Sequence, residues 1–301
     1  SARTTPLPSP PLHPTGKKKE MAPSLLRLLA ASAALLASPA SAFAPSTARS
    51  PPFVRTAAKK APPSAAASNA PLRMSDGGDG SSSSDAPASK TYGKVFVAGG
   101  SKGVGRLVID ALLSTGAASE VVALVRSDEA AASLSAVNGV TAIKGDAFVY
   151  KDVEGALDGC DAAVTTLGGA TDEGGQRVDY VGNNNVIEAA GILGVTRVVL
   201  VTSVGCGTSK EAAPPSVFEA LKDTLAAKEK AERVLQRYYT NSNWTIIRPG
   251  GLKSEKATGT AILTEDPMAI GSIHREDVAN LVVKALTSQN TEKKVLSAVD
   301  P

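Results

Sequence analysis

The stretch KVFVAGGSKGVGRLVIDALL, Lys94 to Leu113, limits the possible folds more than any other part of the chain. A β-branched run, Val95 to Val97, gives way to glycines at 99, 100, 103 and 105, after which Val104, Leu107, Val108, Ala111 and Leu112 recur at helical spacing. The pattern predicts a strand, a glycine-rich turn and a helix. A turn this tight needs positive φ, and bare backbone N–H groups at the start of a helix favour an anion such as a pyrophosphate. Placed between strand and helix, the whole turn is expected to line a dinucleotide: Gly99, Gly100, Ser101, Lys102, Gly103, Val104 and Gly105.

A second strand, Glu120 to Val125, ends at Arg126-Ser127. An acidic residue there would bond the 2′-hydroxyl of NAD, whereas a guanidinium matches a 2′-phosphate with a charge-assisted fork, so Arg126 favours NADP(H). Lys102 and Arg106, in and just after the turn, are placed to add charge to the same phosphate. Further strands are expected at 140–144, 161–167, 196–202, 243–248 and 294–298. Helices are expected at 104–116, 128–136, 151–158, 176–193, 217–240 and 275–287, the last capped by Ser272 or His274. Alternation of this kind predicts an α/β, Rossmann-like doubly wound parallel sheet, and residues 91–301 suit a single domain.

Residues 1–90 read differently. They are rich in Pro, Ala, Ser and Arg and lack any sustained period, so they are expected to be a disordered upstream segment and a targeting presequence. From Met21, Arg27 precedes an apolar run, Leu28 to Leu36, that is too short to span a bilayer, and Ala40-Ser41-Ala42 offers a cleavage site: a signal peptide over about 21–42. Residues 43–74, without an acidic group and with five basic ones, have transit-peptide composition, and a linker runs on to about residue 90. The junction ASAFAP resembles the bipartite plastid presequence of algae with complex plastids, which implies a stromal destination; the alternative is a secreted protein with a basic linker.

The presequence also masks the charge of the remainder. Of the 32 basic and 29 acidic residues, 10 and 1 lie in 1–74, leaving 22 and 28, a net −6. An acidic body gives no argument for nucleic acid. Cys160 and Cys206, the only cysteines, have neither CxxC nor Cys/His spacing, so no metal site and no disulfide framework are expected.

The blocks LVRS at 124–127, KGDAFVYKDVEGALDGCDAAV at 144–164, DYVGNNNVIEAAGILGVTRVVLVTSVG at 179–205, AKEKAE at 227–232, WTIIRPGGL at 244–252 and SIHREDVANLVVKAL at 272–286, together with the glycine turn, resemble the atypical short-chain dehydrogenase/reductases, and more narrowly their NmrA-like, NAD(P)H-binding group. The resemblance implies that Gly99, Gly103 and Gly105 cover the pyrophosphate and Arg126 reads the 2′-phosphate. It places Asp146 and Ala147 beside the adenine, and Thr166, Leu167 and Gly168 along the ribose. Residues 250–272 become a small C-terminal substrate lid over the nicotinamide. Many atypical members read GxxGxxG, whereas Lys102 stands at the second glycine here and Gly103 follows it.

In conventional members a Tyr-x-x-x-Lys pair follows the fifth strand, with a serine at that strand's end. Ser203 and Lys228 match the serine and the lysine, but Thr224 stands at the tyrosine position. An aliphatic hydroxyl is far too weak an acid to replace a tuned phenol, so Lys228 is expected to hold ribose more than to drive proton transfer. Tyr238 and Tyr239 lie too far along the helix, and His274 is expected to cap or to line the pocket. Two readings follow: an NADPH-dependent reductase of a small quinone, flavin or conjugated substrate, or a non-catalytic NADP(H)-binding protein that senses redox state or serves in assembly, with a protein partner.

Overall fold

The strand, turn and helix of the glycine-rich stretch are β1 (Tyr92–Ala98) and α1 (Gly103–Ser114) of a computed structural model that describes residues 90–301. The expectations for residues 1–89 lie outside the described residues. After α1 the chain runs through β2 (Ala118–Val125), α2 (Asp128–Ser135), β3 (Val140–Lys144), α3 (Tyr150–Leu157), β4 (Ala162–Thr165), α4 (Val181–Ile192) and β5 (Arg197–Val201). It continues with α5 (Pro215–Tyr238), β6 (Asn243–Pro249), β7 (Gly251–Lys253), β8 (Ile262–Thr264), β9 (Ser272–His274), α6 (Arg275–Thr287) and β10 (Lys294–Val299).

Eight strands form one sheet in the order β3-β2-β1-β4-β5-β6-β10-β8, and every pair is parallel except β10 with β8. This is the doubly wound, Rossmann-like sheet that the alternation of elements implied. Its two faces follow from the period of two in each strand. In β1, Val95 and Val97 pack with Val108, Leu112, Val278 and Val282 of α1 and α6. Phe96 and Ala98 point the other way, into a second core with Val153 and Leu157 of α3 and Val186 and Ile187 of α4. No described helix is long and apolar enough to cross a membrane.

Several expected boundaries move. The helix expected from residue 176 begins at Val181, because residues 171–180 double back in a tight turn. There Thr171 bridges Arg177, Asp172 accepts from the Gln176 backbone, and Gly175 sits at positive φ. The strand expected to reach 167 ends at Thr165, which leaves Thr166 to Gly168 as a loop. The lid region holds strands that its irregular sequence hid: β7 pairs with β9 in a small parallel sheet, and β8 closes the edge of the main one. Ser272 lies in β9, and His274, although at the N-cap position of α6, makes no side-chain cap.

Candidate functional site

The chain leaves β1 toward β2 and β3 on one side, then returns to place β4 on the other. At such a switch in strand order the loops part, and a crevice opens beyond the carboxyl ends of the strands. Gly99, Ser101, Lys102, Gly103, Val104 and Gly105 line this crevice from the turn, and Arg126 lines it from the end of β2. Asp146 and Ala147 follow from the end of β3, and Thr166, Leu167 and Gly168 from the end of β4. Two residues expected there stand elsewhere. Gly100 is buried against Ile109 of α1, and Lys228, packed beside Gly168, is not among the lining residues.

The turn needs its glycines for different reasons. Gly99 holds φ at +85°, in the left-handed region. At Gly105 the need is space, since a Cβ would come within 2.2 Å of the Gly99 carbonyl oxygen and 2.5 Å of Thr166 Oγ1. The resulting close approach of helix to strand brings the N-terminus of α1 to the crevice. That end has neither a side-chain cap nor an acidic residue in its first turn, whereas α2 is capped by Ser127 and carries Asp128 and Glu129. The free N–H groups of α1 therefore suit an anion from outside the chain.

Arg126 is exposed at the rim and has no hydrogen-bond or ion-pair partner among the described residues. Arg106 is different from what the sequence implied: its guanidinium grips Asp110 one turn along α1 through Nε and Nη2. An intrahelical pair at i,i+4 satisfies it without a phosphate.

Two asparagines of α4 set the loops beneath the crevice. Asn183 accepts from Thr165 Oγ1 at 2.6 Å and donates to the Asp179 carbonyl, and Asn185 donates to the Ala147 carbonyl at 2.8 Å. Asp146 accepts from the Phe148 backbone at 3.0 Å, which closes the turn after β3.

Behind Gly168 lies a group of charges that sequence reading did not join. Lys228 Nζ donates to the Leu167 carbonyl at 3.2 Å and stands 3.2 Å from Asp179 Oδ1. Asp179 is fully buried; its Oδ2 accepts from the Gly169 backbone at 3.0 Å and lies 3.5 Å from Arg177 Nε. Arg177 in turn donates from Nη2 to Thr224 Oγ1 at 2.6 Å. Lys228 and Thr224 are thus coupled through Asp179 and Arg177. A Cβ at Gly168 would fall 2.9 Å from Asp179 Oδ1 and 3.1 Å from Lys228 Nζ, so only glycine lets this pair approach the crevice. Ser203 is half-buried and turns its hydroxyl onto the Val204 carbonyl at 3.0 Å. The loop that carries it is held by a buried bidentate pair, Arg248 with Glu232, which also engages Thr202, Thr208 and Ser209.

The crevice is also lined by Leu252 of the lid and by Arg275 at the start of α6, neither of which has a local sequence signal. Arg275 donates to Ser254 Oγ at 2.6 Å. Beneath, Asp277 accepts from the Thr258 and Gly259 backbones and from Thr258 Oγ1, and Asp300 accepts from Thr258 Oγ1 and Thr260 Oγ1. Those bonds, from Thr260 first and then Thr258, hold the Asp300 carboxyl below its usual range. His274 Nδ1 lies 3.7 Å from Asp277 and 3.6 Å from Asp300, too far for hydrogen bonds. These three side chains sit close enough to suit a cation. Both carboxylates, however, are already occupied by the lid, and the group reads as a latch between residues 257–260, α6 and the C-terminal segment.

The model of a family described as NAD(P)H-binding matches residues 99–289. The chain is 31% identical to the uncharacterized sugar epimerase YhfK of Bacillus subtilis, over 69% of this chain and 94% of that one. It is 32% identical to an uncharacterized chloroplastic protein of Arabidopsis thaliana, over 68% and 76%. Among solved structures, ChuY, an anaerobillin reductase from Escherichia coli O157:H7, superposes with a TM-score of 0.62 at 30% identity, covering 69% of this chain and 97% of that one.

Proposed function

The chain belongs to the NAD(P)H-binding family of Rossmann-fold proteins, as an NmrA-like member of the atypical short-chain dehydrogenase/reductases, and from that premise we propose that it is an NADP(H)-dependent reductase. The bound cofactor would supply hydride; the protein's residues bind and orient. The pyrophosphate would lie on the uncapped N-terminus of α1, with Gly99, Gly103 and Gly105 beneath it. The adenine would lie by Asp146 and Ala147, and the ribose would pass Thr166 to Gly168. Gly100 contributes packing rather than contact.

The observation that carries NADP(H) over NAD(H) is Arg126, an exposed guanidinium with no described partner at the rim where a 2′-phosphate would sit. Calorimetric titration with NADPH and NADH tests it. Arg126→Asp should weaken NADPH binding by about 3 kcal/mol, the worth of one or two charge-assisted bonds, and change NADH binding far less. Equal losses for both cofactors would remove the assignment.

The acceptor is proposed to be a small quinone, flavin or conjugated compound, because Thr224 stands where the phenolic acid would be and no tyrosine is among the residues lining the described crevice. ChuY is named as a reductase, which supports this reading. A second reading, a cofactor-holding protein without turnover, is favoured by one observation: Lys228 is committed to Asp179 and Leu167. NADPH oxidation with a panel of quinones, flavins and enones separates the two. We place the protein in the plastid, with residues 91–301 as its cofactor domain and the segment before them as its presequence; the chloroplastic relative supports the location. A fluorescent fusion of residues 21–90 secreted by a complex-plastid alga would refute it.

A further inference from the structure

We propose that Arg177 is an oxyanion-binding group at the nicotinamide end of the cleft, taking by charge the place that a phenol would fill by proton donation. The inference rests on the cofactor reading above and extends it to the class of acceptor.

Four features of the chain lead there. Arg177 meets Thr224, at the tyrosine position, and through Asp179 it shares a carboxylate with Lys228 one turn further along α5. Its backbone is fixed: the bridge to Thr171 pins one side, and the Arg177 carbonyl accepts from Tyr180 and Val181 at the start of α4. Arg177 does not itself line the described crevice, but Ala170 and Val178, joined by a backbone hydrogen bond beside the Thr171–Arg177 bridge, do, which puts the guanidinium next to its wall. Lastly, the guanidinium is unsaturated. Nη1 makes no hydrogen bond among the described residues, Nη2 spends one on Thr224, and the side chain is 27% exposed, while Nε is buried and faces Asp179 Oδ2 at 3.5 Å.

The charge balance points the same way. Asp179 neutralises one of its two cations, so the cluster keeps a net positive charge beside the crevice. Thr224 is then an anchor, whose hydroxyl oxygen orients the guanidinium, and not a failed acid. A guanidinium does not give up its proton near neutral pH, but it stabilises an oxygen that gains charge, and does so best when held in advance.

That distinction selects substrates. Hydride added to a quinone, flavin or enone forms one new bond to hydrogen and pushes an electron pair to the far end of the conjugated system, a carbonyl oxygen in a quinone or enone and the N1–C2 carbonyl unit in a flavin; the nicotinamide is oxidised, and water later protonates the anion. On oxygen, hydroquinone and enolate anions are much weaker bases than an alkoxide, as is the reduced-flavin anion, so charge stabilisation suffices for them while water supplies the proton later. An alkoxide from a simple ketone is strongly basic and needs an acid that the cluster lacks. Acceptors should therefore be conjugated compounds whose reduced form is a stabilised oxyanion.

The test uses the full chain loaded with NADP⁺ and 4-nitrophenol as probe, since its ionisation near neutral pH changes its visible absorption. The site should bind the phenolate at least tenfold more tightly than the neutral phenol, so that the bound probe ionises at lower pH than the free one. Arg177→Gln should abolish the preference, Arg177→Lys should keep most of it, and Thr224→Val should reduce it, each with unchanged NADP⁺ affinity. Phenolate binding that survives Arg177→Gln, or its absence from a wild-type protein that binds NADP⁺, would overturn the proposal. Failure of the wild-type chain to bind NADP⁺ would strike the cofactor reading first and take the subsite with it.

Discussion

Replacing Asp179 by Asn should expose how the charge cluster is balanced. Asp179 has no solvent exposure, and Lys228 retains 12%, so the substitution strands a nearly buried ammonium. The pair is close enough at 3.2 Å to attract, but Asp179 Oδ1 makes no aligned hydrogen bond, so most of its effect is Coulombic. Breaking a buried pair from one side costs about 3–5 kcal/mol, because the remaining charge is neither solvated nor paired. Two features move the expectation to the lower end: Asn can still accept from the Gly169 backbone, and Arg177 is exposed enough to recover water. A loss of about 3 kcal/mol in a folded body of this size lowers Tm by roughly 6–12 °C. Adding Lys228→Met should then recover about 2 kcal/mol, since no uncompensated ammonium remains. Urea and thermal unfolding followed by circular dichroism, run as a double-mutant cycle, measure both. A single-variant loss under about 0.5 kcal/mol, or a double variant equal to the sum of the singles, would show that the carboxylate does not balance Lys228.

Three more outcomes follow from the packing. Gly105→Ala should cost about 1–3 kcal/mol by overpacking and weaken NADP⁺ binding, because its methyl meets the Gly99 carbonyl and Thr166; an unchanged Tm would contradict the strand-to-helix approach. Arg197, 1% exposed, donates to the carbonyls of Ala285 and Leu286 at the end of α6 and to Asn243, and Arg197→Met should destabilise by about 2–3 kcal/mol in urea by removing these charge-assisted bonds, although Tyr92 still donates to Leu286 and Thr291 to Ala285. Burial pushes the thiols of Cys160 and Cys206 up to about 11 and about 12. Because the thiolate is the reactive form, the native protein should resist iodoacetamide at about pH 8 and be alkylated at both sites in denaturant, as read by mass spectrometry.

The sequence alone determined whatever depends on neighbours along the chain. The turn at 99–105 is legible because glycine is required there by backbone angle at Gly99 and by contact at Gly105. Arg126 is legible because a strand end specifies where its side chain emerges, and the sheet is legible because Val-rich runs and helical periods alternate. Short-range pattern failed where partners are far apart. The onset of α4 was misplaced because DEGGQRVDY joins a turn and a bridge that no period announces. Arg177 and Thr224 are 47 positions apart, and only the sheet order brings the loop after β4 against α5. From sequence, Thr224 is a missing acid; in the structure it is the anchor of a guanidinium. His274 looked like a cap, but Asp277 beside it is bonded to the lid, and that bond exists only once residues 257–260 fold over α6. Local sterics and periodicity write the scaffold into the sequence, whereas the polar cluster of Arg177, Asp179, Thr224 and Lys228 is assembled by contacts that exist only after folding.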